Sequence, residues 1–219
     1  MKKSVVLFLA ALFVFSVSFG QKSQKELKSE VKEKASKNAR KEQKKLEKDG
    51  WRTDPGSLPM DKLLDAAWEK QLQTDDQGQP LYMYADGNAV ASDKTAGNMQ
   101  AIETAKLALA GQVSTNIASL VSANIGNTQL STQSGESVTE VVQSAKNVIA
   151  QKMGKVEPFF KLYRSSDTYK NLEKGKIEVQ VRLFYNSSQA LNTAKEEVKK
   201  VLKDKLNANE EDLKKLMGM

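Results

Sequence analysis

Lys176-Ile-Glu-Val-Gln-Val-Arg-Leu-Phe-Tyr185 is the stretch on which the fold turns. Ile177, Val179, Val181, Leu183 and Tyr185 alternate with Glu178, Gln180 and Arg182. A period of two places successive side chains on opposite faces of a strand, so the pattern predicts one buried face and one face in water. Downstream, residues 187–206 read as a helix capped by Ser187 or Ser188, with Leu191, Ala194, Val198, Val201, Leu202 and Leu206 on its apolar side. A short helix over 210–217 ends the chain. Upstream, residues 156–164 form a second extended segment around Phe159, Phe160, Leu162 and Tyr163. Pro158 assigns it an edge position or a bulge, because proline cannot donate to a ladder.

Further toward the N-terminus the period changes. A helix is expected from about Glu136 to Met153-Gly154, preceded by the polar loop 126–135. Before it, a helix of roughly 30 residues starts near Ser92, with Met99, Ile102, Ala105, Leu109, Val113, Ile117 and Leu120 near one face and a break expected at Gly111. Pro80-Leu-Tyr-Met-Tyr-Ala85 favours a strand, and Asp86-Gly87-Asn88 is read as the turn that ends it. Residues 61–73 carry Leu63, Leu64, Ala67, Trp68 and Leu72 at helical spacing, and core packing is the expected role of Trp51 and Trp68. The order predicts a single α+β domain over 51–219, with a small, mainly antiparallel sheet covered by helices on one side.

Two segments of different character precede that domain. Lys2 and Lys3, the apolar run Val5 to Val17 and the small residues Ser18 and Gly20 match a secretory signal peptide cleaved before Gln21. The run is roughly 13 residues, short of the about 20 that cross a bilayer. Residues 21–50 are then expected to be a lysine-rich, solvated helix or tether. Leu27, Val31 and Ala35 make only a thin stripe, and Glu30 with Lys34, or Glu33 with Lys37, gives helical charge pairing. Its basic residues Lys22, Lys25, Lys28, Lys32, Lys34, Lys37, Arg40, Lys41, Lys44, Lys45 and Lys48 are candidates for electrostatic docking to an anionic envelope polymer or lipid headgroups.

Composition removes many chemistries. The 219 residues contain no Cys and no His, so disulfides, thiol nucleophiles, imidazole catalysis and Cys/His zinc sites are excluded. The net charge of +7 falls to about +5 without Lys2 and Lys3, a mild excess whose placement matters more than its size. Ser92 with Lys94, and Ser144 with Lys146, have the residue types of a Ser–Lys site at a spacing that does not share a helix face. Ser29 with Lys32 has helical spacing, but in a segment where nothing desolvates the lysine. Asp75 and Asp76 lie in a Gly-containing turn and Asp86 precedes Gly87, so calcium ligands could be assembled from loops, yet their expected role is turn formation. The basic segment lacks interleaved aromatics, so nucleic acid is not an expected partner. Neither a cofactor nor a metal is expected.

Tyr84-Ala-Asp-Gly-Asn-Ala-Val-Ala-Ser92, followed by the alanine-rich run Ala101-Ile-Glu-Thr-Ala-Lys-Leu-Ala-Leu-Ala-Gly-Gln-Val113, resembles the LPP-twenty family of small bacterial envelope lipoproteins. The resemblance covers about residues 81–206 and implies a compact α+β module of the envelope without a known catalytic role. The chain departs from the family in lacking the lipid-accepting cysteine. The expected function is therefore a non-enzymatic periplasmic, outer-membrane-associated or secreted protein that binds an envelope protein or anionic polymer, without a transmembrane span in the mature chain. A hydrolase independent of His and Cys, and a structural subunit that self-associates through the long helix, stay open as alternatives. The signal reading predicts that the intact mass of protein recovered from the envelope fraction begins at or near Gln21. A mass that includes Met1 would remove the cleavage site.

Overall fold

The computed structural model describes residues 24–124, 146–154, 156–206 and 210–218. The expected signal segment, the polar loop 126–135 and the beginning of the helix expected from Glu136 lie outside these residues. The described residues form an α+β fold of six helices and one three-stranded antiparallel sheet. The helices are α1 (Gln24–Lys48), α2 (Met60–Gln71), α3 (Lys94–Asn124), α4 (Lys146–Lys152), α5 (Ser187–Leu206) and α6 (Glu210–Met217). The strands are β1 (Tyr82–Ala91), β2 (Phe160–Ser165) and β3 (Ile177–Asn186).

The alternating stretch is the central strand, since the sheet order is β1-β3-β2. Its odd positions do what the pattern predicts: Val179, Val181 and Leu183 are fully buried in a core formed with α3, α4, α5 and α6. Its even positions do not all meet water. Arg182 and Phe184 are also buried, because α1 and α2 cover the second face of the sheet. The expectation of helices on one side only is corrected accordingly. Two cores flank the sheet, the larger behind β3 and a smaller one made by Leu46, Trp51, Leu64, Phe160, Leu162 and Phe184.

The turn expected at Asp86-Gly87-Asn88 is instead the middle of β1, which runs through it to Ala91 in unbroken register with β3. Glycine is required there for a different reason. A Cβ on Gly87 would lie 2.0 Å from the carbonyl oxygen of Ala101 and 2.8 Å from the Cβ of Ala105, so the strand and α3 approach backbone to backbone. Gly97 lets α3 close in the same way on Val179, whose Cγ2 would stand 2.6 Å from an added Cβ. The alanines of α3 serve this approach, with Ala101, Ala105 and Ala110 wholly buried. Gln112 Nε2 then donates to the Tyr84 carbonyl at 3.2 Å, and the Tyr163 hydroxyl donates to Asn98 Oδ1 at 3.0 Å. The helix does not break at Gly111.

Other boundaries follow from local chemistry. Asp93 caps α3 by accepting from the Ala96 amide, and Asn186, rather than Ser187 or Ser188, caps α5 by accepting from the Gln189 amide at 2.9 Å. Gly154 ends the helix α4 segment at a φ of 65°, where a residue with a Cβ is strained. Arg52 bridges Tyr163 on the outer side of β2, consistent with the edge position that Pro158 implied. Lys199 and Glu210 pair between α5 and α6, and Leu213, Leu216 and Met217 bury the last helix against the main core. No helix among the described residues is long and apolar enough to cross a membrane.

The two glycine environments give opposite expectations. Gly87→Ala forces backbone apart and should cost about 3 kcal/mol or more, at the upper end of overpacking effects. Gly111→Ala meets only the flexible end of Lys146, with Cε at 3.3 Å, and should be neutral or stabilising by up to about 1 kcal/mol through helix propensity. Urea unfolding of the two variants checks both signs.

Candidate functional site

The second face of the sheet is built around one arginine. Arg182 stands at the centre of β3, paired in register with Asp86 on β1 and Phe160 on β2. Its side chain is only 5% exposed. A charge so far from water must be paired and hydrogen-bonded. Nε donates to Asp86 Oδ1 at 2.6 Å, and Nη2 donates to Asp86 Oδ2 at 2.7 Å and to Glu42 Oε1 at 2.9 Å. The Tyr84 and Phe160 rings lie 5.3 and 5.1 Å from the guanidinium carbon. Burial is the largest influence on this group and favours its neutral form, but the bonds and charge of Asp86, then those of Glu42, outweigh it and raise the arginine pKa.

Glu42 belongs to α1 and is the link between the helix and the sheet. Its second oxygen accepts from Trp68 Nε1 of α2 at 2.6 Å, so a single carboxylate joins α1, α2 and β3. Ala35, Ala39 and Leu46 of α1 are buried. The segment expected to be solvated is thus packed into the fold from Ala35 onward. A second arginine seals the far end: Arg164 of β2 bonds Glu178 at 2.7 Å and the Asp49 carbonyl at 3.0 Å, between the rings of Trp51 and Tyr169.

Between α1, α2 and the sheet lies a pocket of about 330 Å³, lined by Asn38, Lys41, Glu42, Lys45, Trp68, Gln71, Tyr84 and Arg182. Two polar atoms of its lining residues are buried without a hydrogen-bond partner, Arg182 Nη1 and Gln71 Oε1. Of the sequence-derived docking residues, only Lys41 and Lys45 reach this pocket. Lys28, Lys32, Lys34, Lys37, Arg40, Lys44 and Lys48 are exposed along α1. Lys25 falls in the first turn of α1, and Lys22 lies outside the described residues.

The helix arranges these charges asymmetrically. At about 100° per residue, Lys34, Lys37, Arg40, Lys41, Lys44, Lys45 and Lys48 occupy an arc of about 140°, opposite the arc of Ala35, Ala39, Glu42 and Leu46. Glu42 is the only acid between Lys34 and Lys45, and it is turned inward to Arg182 and Trp68. The outward stripe is therefore basic without interruption over that span.

The other candidate chemistries come apart. Lys94 pairs with Asp54 at 2.5 Å and lies over the Tyr163 ring, while Ser92 is bonded by Lys176 Nζ at 3.1 Å. Ser144 lies outside the described residues. Ser29 and Lys32 are both exposed on α1. Asp75 Oδ1 accepts from the amides of Gln77 and Gln79, a turn-forming role, and Asp86 serves Arg182. Among the described residues no three His, Cys, Asp or Glu side chains are placed to hold a metal ion. The Tyr163 phenol has a raised pKa, chiefly from burial.

Sequence reasoning missed Arg182, Asp86, Glu42, Tyr84 and Gln71 as members of one site. Phe184 carried the available signal: an aromatic in the polar register of β3 indicates that the second face is covered too. No family model, no curated protein and no solved structure matches the chain.

Removing one partner of the central arginine tests its role. Asp86→Ala should lower stability by roughly 2–3 kcal/mol, at or below the lower end for buried pairs, because Glu42 remains and the Asp86 side chain is 32% exposed. A double-mutant cycle with Glu42→Gln should show coupling above about 0.5 kcal/mol, since both carboxylates share one guanidinium. Additive losses in urea unfolding would show that they act independently.

Proposed function

We propose that the chain is an exported, non-enzymatic binding protein of the cell envelope that docks on an anionic envelope component through the outward face of α1. The observation that carries this reading is the stripe from Lys34 to Lys48 on a helix whose opposite face is packed against the domain. In a free tether, the same charges would pay the entropy of being ordered at the moment of contact. A packed helix presents them already aligned, with the exposed Glu47 at their edge, and a dense, mainly basic array attracts a polyanion or a charged lipid surface more strongly than scattered lysines do. The signal-like first 20 residues and the resemblance to the LPP-twenty family support the same compartment. Docking specificity then comes from the folded domain.

The stripe is tested with Lys34→Gln, Lys37→Gln, Lys44→Gln and Lys48→Gln combined, four exposed positions that do not line the pocket. Cosedimentation of the full mature chain with vesicles containing anionic phospholipid, and with an insoluble acidic polysaccharide, should fall on the order of a hundredfold or more, given about 1 kcal/mol for each basic residue near a charged surface. Binding by the unaltered chain should weaken as salt rises, because exposed charges are screened beyond about 8 Å at physiological ionic strength. Unchanged, salt-insensitive retention of the variant on both materials would leave α1 as a structural element only.

A further inference from the structure

Three aromatic rings on the second face of the sheet surround one ammonium group. Lys70, in the last turn of α2, places its Nζ 4.4 Å from the centre of the Tyr82 ring and 5.5 Å from those of Phe159 and Phe184. All three lie within the range of a cation–π attraction. Among the described residues no carboxylate pairs with Lys70, so its charge rests on the rings. The walls are set by the sheet. Tyr82 opens β1, Phe184 is buried on β3, and Phe159 precedes β2 with its amide bonded to the Arg182 carbonyl at 2.8 Å. Phe184 meets Tyr82 at 87° and Phe159 at 73°, so the rings stand as walls of a box and not as a stack.

The box is wide for the cation it holds. A methyl carbon lies about 1.5 Å from its nitrogen and about 3.5–4.0 Å from a ring that it touches, which centres a methylated ammonium roughly 5.0–5.5 Å from the ring. Phe159 and Phe184 stand at that distance from Lys70 Nζ, while the bare ammonium leans on Tyr82. We propose that Tyr82, Phe159 and Phe184 bind a quaternary ammonium group of the choline type, which enters by displacing the Lys70 side chain. The exchange is favoured by hydration. A lysine ammonium is compact, strongly hydrated and carried on a flexible stem, so it regains water when it swings out, whereas a quaternary ammonium has no N–H donors to desolvate. The rings are already in place, so little is lost in ordering them. None of these residues belongs to the α1 stripe, and the site stands whether or not α1 docks.

Choline is the probe, titrated into the full mature chain and followed by calorimetry and by the ring-current shift of its methyl protons. Neohexyl alcohol, in which carbon replaces the nitrogen, is the uncharged control. The expected result is saturable choline binding, on the order of tenfold tighter than that of the control. Lys70→Ala removes the resident cation and should tighten choline by about fivefold or more, while Phe159→Leu and Tyr82→Leu, which keep apolar bulk, should each weaken it by a similar factor. Absence of saturable binding, equal binding of choline and its control, or unaltered affinity in both ring variants overturns the site. Binding by Lys70→Ala but not by the unaltered chain also overturns it, because the lysine is then a permanent part of the packing. Cosedimentation with vesicles of phosphatidylcholine alone separates the sources: retention that choline competes away assigns the site to a lipid headgroup, and choline binding without retention assigns it to a soluble ligand.

Discussion

Arg182 cannot sit in the middle of a three-stranded sheet without obligations. Its guanidinium is almost sealed from water, and an unpaired charge there would be far too costly for the fold to tolerate. Asp86 meets it across the strand pair in a two-pronged geometry that arginine is shaped for, and Glu42 arrives from a helix 140 residues earlier in the chain. The second contact obliges α1 to lie against the sheet. Trp68 bonded to the other oxygen of Glu42 places α2 beside it, and the small core around Leu46, Leu64 and Phe184 closes the space between them. An ion pair of this kind contributes less to net stability than to a single arrangement, since apolar residues of similar volume would fill the space without specifying a partner.

The opposite face is organised by closeness instead of charge. Gly87 and Gly97 remove the only atoms that would hold α3 away from β1 and β3, and the buried alanines of α3 keep the contact tight over its length. α4, α5 and α6 pack on the apolar face of α3, although Met99, expected on that face, and Leu107 are turned out to solvent, and Val179, Val181 and Leu183 lie in the larger core. The sheet is thus a thin layer between an apolar packing on one side and a polar, aromatic one on the other. The pocket described above lies on the polar, aromatic side, lined by α1, α2 and the sheet.

The same inward turn of Glu42 that satisfies Arg182 also shapes the surface. It withdraws the one acid from the stretch between Lys34 and Lys45, and what remains outside is a uniform basic stripe on a helix anchored from behind. The packing of α1 and the basic surface proposed for docking are therefore two consequences of one carboxylate.

Local pattern by itself determined the element types. The alternation in 177–185, the periodicity of 187–206, the long alanine-rich helix and the absence of Cys and His are properties of neighbouring residues, and the α+β class follows from the order of the elements. Only the tertiary structure decided what the polar register of β3 faces, where Gly87 belongs, and whether the lysine-rich segment packs. Each depends on a partner distant in sequence: Arg182 needs Asp86 and Glu42, Gly87 needs Ala101 and Ala105, and the thin stripe of Ala35, Ala39 and Leu46 becomes sufficient once a shared carboxylate ties α1 to two other elements. Hydrophobic periodicity measures the amount of apolar surface a segment can bury, and it carries no information about an ion pair that makes a small amount enough.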